Sequence, residues 1–119
     1  MAQKTILKPS VSTLVKAYGK DLTARGIYWD KLIVFGSHAR GKASEWSDID
    51  VCVISSRFST DRFDNQRLLM HNRSREFLLI EPHPFQPGEL IEKWDPLAAE
   101  IRTNGIEIAT STANEYLKY

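Results

Sequence analysis

The chain has 119 residues, 42% hydrophobic and 26% charged, an ordinary globular composition with length for one compact core, so a single domain spanning 1–119 is expected. Sixteen Lys and Arg against fifteen Asp and Glu give a formal net charge of +1, which argues against a protein that grips nucleic acid through its phosphates. Cys52 is the only cysteine, which excludes an intrachain disulfide or a CxxC redox pair and points to a reducing compartment, the cytoplasm; the apolar runs are too short for a membrane span, and the N-terminus lacks the apolar core of a signal peptide.

Val11, Leu14, Val15, Tyr18 and Leu22 recur at helical spacing, so the spacing predicts a first amphipathic helix with Ser10 as N-cap and Gly26 as its stop. Residues 27–35 are β-branched and aromatic and end in the run LIVF, which predicts a strand covered on both faces. The stretch DIDVCVIS then alternates carboxylates with aliphatics and predicts a second strand. Residues 56–75 are polar around Leu68, Leu69 and Met70 and read as a loop or a loop with a short helix. EFLLIE predicts a third strand, stopped by Pro82, Pro84 and Pro87. PGELIEKW and DPLAAEIRTNG read as helix interrupted or kinked near Pro96 and ending at Gly105; IEIAT is a fourth strand at an edge, and the tail ANEYLKY is given no element. The fold class is therefore mixed α/β (α+β): a small mixed sheet of about four strands flanked by helices, with the helices expected to pack one face.

The chemistry is concentrated in FGSHARGKASEWSDIDVCVIS. Gly36 and Ser37 directly after a buried strand make a tight turn with unobstructed backbone NH groups and a hydroxyl, which suits phosphate oxygens; a helix following Ser37 would add its N-terminal dipole. Asp48 and Asp50 are two apart on a predicted strand, so they share a face about 7 Å apart at the backbone and can converge on a divalent cation, magnesium or manganese. Without a cation the two like charges repel, a cost with no structural return.

A strand ending in Gly36 and Ser37, then Arg40, Gly41 and the SDID run from Ser47 to Asp50, resembles the signature of the DNA polymerase β-like nucleotidyltransferase superfamily, and the small size is similar to its minimal nucleotidyltransferases (MNT). The resemblance implies a mixed sheet with flanking helices and magnesium-dependent transfer of a nucleoside monophosphate, AMP from ATP, to a hydroxyl of a protein or small molecule. It implies that Gly36 and Ser37 grip the triphosphate and that Asp48 and Asp50 bind metal. It also implies a third carboxylate on the neighbouring strand, as metal ligand and proton acceptor; Glu81 is the best match, although the family more often has aspartate there, and Glu76 is the runner-up. Minimal members often pair with a small helical HEPN protein in toxin–antitoxin modules, which gives one concrete version of the partner. A second reading, from another class, is a catalytically weak nucleotide- or protein-binding module that neutralises a partner by contact.

Other residues have plainer readings. Arg40 is open between a phosphate contact and a surface ion pair. His38, His71 and His83 lack metal-ligand spacing and read as surface or loop residues, Cys52 as a small buried apolar residue, and Trp46 as either a base-stacking or a packing residue. If Asp48 and Asp50 face the cleft, Cys52 and Ile54 share that face, and the same parity sends Phe77 and Leu79 there with Glu81. That predicts an uncovered apolar floor, and hence a homodimer or a heteromer closing over it.

Overall fold

The runs that read as the first two strands lie side by side at the centre of a four-stranded mixed sheet. The computed structural model describes residues 7–111. α1 (Pro9–Ala24) leads into β1 (Lys31–Phe35) and β2 (Ile49–Ile54), α2 (Arg62–His71) crosses to β3 (Ile80–Phe85), and α3 (Pro96–Asn104) precedes β4 (Ile106–Thr110). The strand order is β3-β2-β1-β4, with β1 antiparallel to β2 and β4 and β3 parallel to β2. The mixed α/β architecture and the edge position of β4 are as expected; the tail at 113–119 lies outside the described residues.

α1 forms because Pro9 occupies its first turn, where a missing N–H costs nothing, and Val11, Val15, Tyr18 and Leu22 bury one stripe against the sheet. Ser10 lies inside that first turn rather than capping it; the N-cap is Lys8, with no side-chain bond. β1 begins at Lys31, not at Ile27. The Asp30 carboxylate fixes a bend ahead of it, accepting from the Tyr28 hydroxyl at 2.8 Å and the Ser56 N–H at 2.7 Å, while Trp29 turns its indole inward to donate to the Gly19 carbonyl at 2.8 Å. The polar stretch after β2 holds a helix, α2, because the Asp61 side chain caps it by accepting from the Phe63 and Asp64 N–H groups; its buried positions are only Asn65 and Leu69, so its apolar pattern is faint.

β3 departs most from expectation. Residues 75–77 form a 3-10 turn, and the strand runs through Pro82 and Pro84 instead of stopping at them. The edge position explains this. Glu81, His83 and Phe85 direct their backbone groups toward β2, as the Ser55 N–H donating to the Phe85 carbonyl at 3.0 Å shows, whereas the intervening prolines direct theirs away, where Gln66 Nε2 meets the Pro82 carbonyl at 2.9 Å. Neither proline has to supply a ladder donor. The predicted kinked helix likewise resolves into two pieces, a 3-10 turn at Pro87–Ile91 and α3, whose N-cap Asp95 accepts from the Leu97 and Ala98 N–H groups at 2.9 and 3.3 Å with Pro96 next to it.

Strand parity divides the interior into two cores. Leu32, Val34, Ile49, Val51, Val53 and Ile80 meet α1, Leu69 and Phe77 on one face. Phe35, Cys52, Ile54 and Phe85 meet Ala98 and Ile101 of α3 on the other. Each fully buried aliphatic or aromatic side chain contributes about 1.5 to 3 kcal/mol of transfer free energy. Helices thus cover both faces, not one, and the predicted bare floor is roofed: Cys52 and Ile54 do share the face of Asp50, but α3 buries them. Phe77 belongs to the opposite core, edge-on to Tyr18 at 5.5 Å, and Leu79 precedes β3. Among the described residues no helix is long and apolar enough to cross a membrane.

Candidate active site

The second face ends in a row across three strands: Phe35 on β1 pairs with Asp50 on β2, which pairs with Glu81 on β3. His83, two residues after Glu81, presents its ring to the same face. Its Nε2 lies 3.1 Å from Asp50 Oδ1 and 3.9 Å from Glu81 Oε1, and its ring packs edge-on against Phe35 at 5.0 Å. One donor atom from each of Asp50, Glu81 and His83 falls within 4.8 Å of the others. The Asp50 and His83 side chains are mostly shielded, while half of the Glu81 side chain is open to solvent.

Gly36 adjoins this cluster. Its φ of +75° is in the left-handed region, and a Cβ built there would stand 2.3 Å from Asp50 Oδ2, so only glycine lets the turn lie against the carboxylate. Ser37 follows, half-buried, in a loop closed by bonds from Arg40 N–H to the Gly36 carbonyl at 3.1 Å and from Lys42 N–H to the Ser37 carbonyl at 2.9 Å. Turns, not a helix, follow Ser37, so no helix dipole reaches it. The buried His38 ring ties this loop to the Ser47 carbonyl at 3.0 Å.

Of the residues singled out from the sequence, Asp50 and Glu81 come together beside Gly36. Asp48 is exposed one position ahead of β2 and stands outside the three-donor cluster, and Glu76 is exposed on the 3-10 turn before β3. Arg40 is ion-paired with Glu100 of α3 at 3.3 Å. Trp46 is 78% exposed, so it does not pack. Burial pushes the Cys52 thiol far above its ordinary pKa, leaving it no nucleophile. His83 is the residue that sequence reasoning missed: Glu81, His83 and Phe85 alternate in register, but the alternation shows only if the strand is allowed to pass through its prolines.

The nucleotidyltransferase domain family matches residues 22–102. A Methanocaldococcus jannaschii protein named "Putative protein adenylyltransferase MJ1305" is 30% identical over 120 residues, covering 96% of this chain and 76% of that one. The chain belongs to the nucleotidyltransferase domain family. It is accordingly an enzyme of the nucleotidyltransferase class. The fold agrees: the crystal structure of "a putative nucleotidyltransferase from Sulfolobus solfataricus" superposes with a TM-score of 0.61 at 17% identity, covering 83% of this chain and 79% of that one. A toxin–antitoxin structure with AMP-PNP is more distant, with a TM-score of 0.49 at 18% identity over 89% of this chain and 78% of that one.

Nucleotidyltransferase domains usually work on a nucleoside triphosphate with a divalent cation, and the residues present fit such a cation. Two carboxylates and an imidazole converge, and the missing Cβ of Gly36 leaves the Asp50 carboxylate room beside the turn.

Proposed function

We propose that the chain, as one domain spanning residues 1–119, transfers a nucleoside monophosphate, AMP from ATP, to a hydroxyl of a protein or small molecule with Mg2+ or Mn2+ as cofactor. The convergence of Asp50, Glu81 and His83 beside the Gly36–Ser37 turn carries this reading, and the relative named as a protein adenylyltransferase supports the nucleotide. In it, the backbone of Gly36 and the hydroxyl of Ser37 hold phosphate oxygens, and Arg40 lends charge from the rim. Asp50 and Glu81 would hold the cation, and Asp48, exposed just ahead of β2, would serve as a further carboxylate ligand. When bound, the cation neutralises charge on the phosphate oxygens. Glu81 takes the acceptor's proton as that oxygen bonds the α-phosphorus and pyrophosphate leaves.

The acceptor side of the cleft is assigned to a partner, a second copy or a small helical HEPN-type protein, with the cytoplasm as the setting. Phe63, Ile91 and Trp94, all strongly exposed, support association through an apolar surface other than the roofed floor. The deciding experiment is incubation with α-labelled ATP, Mg2+ and a native lysate, followed by size-exclusion chromatography to read the acceptor and its association state. Labelling is expected, with Asp50→Asn lowering it at least about a hundredfold and Glu81→Gln lowering rate more than nucleotide affinity. Association with no labelled acceptor would instead establish the contact-neutralising module.

A further inference from the structure

The three-donor cluster is not an all-oxygen site, and this bears on which cation it takes. Mg2+ is a hard ion that favours oxygen ligands and retains waters; carboxylates suit Mg2+ and Mn2+ alike, whereas an imidazole nitrogen favours first-row transition metals, so a set with both donor types favours Mn2+ over Mg2+. His83 is well placed to be such a ligand. Its Nε2 approaches Asp50 Oδ1 at 3.1 Å and Glu81 Oε1 at 3.9 Å, and neighbouring ligands of one ion, each about 2.0 to 2.2 Å from it, stand on the order of 3 Å apart.

The backbone holds the donors there. Glu81 precedes Pro82 and His83 precedes Pro84, and a residue before proline is confined to extended conformations. Pairing with β2 fixes the register, and the Phe35 ring at 5.0 Å limits how the imidazole can turn. The donors are therefore gathered before any ion arrives, so little ordering remains to oppose binding.

We infer that Asp50, Glu81 and His83 form one mixed-donor cation site that takes Mn2+ in preference to Mg2+, with His83 as the selecting ligand. The inference concerns the same site as the proposed transfer and rests on that reading for its biological use, but not for its test. The test titrates the full chain with Mn2+ alone, without nucleotide, followed by electron paramagnetic resonance, and then competes the bound Mn2+ with Mg2+. Wild type is expected to bind Mn2+ at least about tenfold more tightly than Mg2+, and His83→Ala to lose at least about tenfold in Mn2+ affinity while Mg2+ affinity changes little. His83→Asp, which restores an all-oxygen set, is expected to narrow the Mn2+ to Mg2+ ratio and guards against misreading a folding defect in the alanine variant. Equal affinities in wild type, or Mn2+ binding indifferent to both substitutions, overturns the inference. Labelling from ATP remains a separate readout, so transfer supported equally by either ion would leave the proposed function standing while this inference falls.

Discussion

Gly36 shows how much one missing carbon does here. Its positive φ and the 2.3 Å that would separate an added Cβ from Asp50 Oδ2 are independent penalties. Gly36→Ala is expected to destabilise the fold by about 1 to 3 kcal/mol and to push the Asp50 carboxylate from its place. Thermal melting should show a Tm lower by several degrees, and an unchanged Tm would mean the turn rearranges without strain. The sequence made Gly36, Ser37 and Asp50 legible because a glycine after an apolar run and a carboxylate within an aliphatic alternation each have a direct physical reading. Glu81 was reached through family resemblance. His83 read as a surface or loop residue, because two prolines disguised the strand that carries it.

At the scale of elements, α3 depends on its cap. Burial alone would raise the Asp95 carboxyl, but the Ala98 and Leu97 N–H groups and the Arg62 guanidinium outweigh it and hold the group below the usual carboxylate range. A carboxyl held lower in the folded than in the unfolded chain adds stability above its ordinary pKa, and that stability is lost as pH falls through the folded value. Asp95→Asn, which keeps a cap but not the charge, is therefore expected to match wild type more closely below about pH 4 than at neutral pH, and Asp95→Ala to cost about 1 kcal/mol. Denaturant melts at pH 7 and pH 3 check both, and equal differences at the two pH values would refute the ionic part. Arg62 links α2 to this cap, at 2.7 Å from Glu89 and 3.3 Å from Asp95, a long-range network that local periodicity cannot show. The same limit explains why 27–30 looked like strand: a bend held by Asp30 to Ser56 is invisible to propensity.

Across the whole molecule, the two-sided covering of the sheet decides what stays exposed. Parity along β2 was readable, but which helix roofs which face is a matter of topology, and α3 was free in the sequence to pack either way. Ile101→Ala should lower stability by about 2 to 5 kcal/mol and open the roof over Cys52, so that a thiol reagent labels native protein faster than it labels Leu69→Ala, whose cavity lies under the other face. Equal labelling of the two variants would show that Cys52 is reached only through global unfolding. The edge prolines of β3 have one more consequence. A strand from another chain seeking to lengthen the sheet beside β3 would find no N–H at Pro82 or Pro84, and would find the Pro82 carbonyl already engaged by Gln66. Strand addition is closed on the side of the carboxylates, so a continuous sheet shared between two molecules would grow from β4, and the Asp50, Glu81 and His83 cluster would stay at its outer margin.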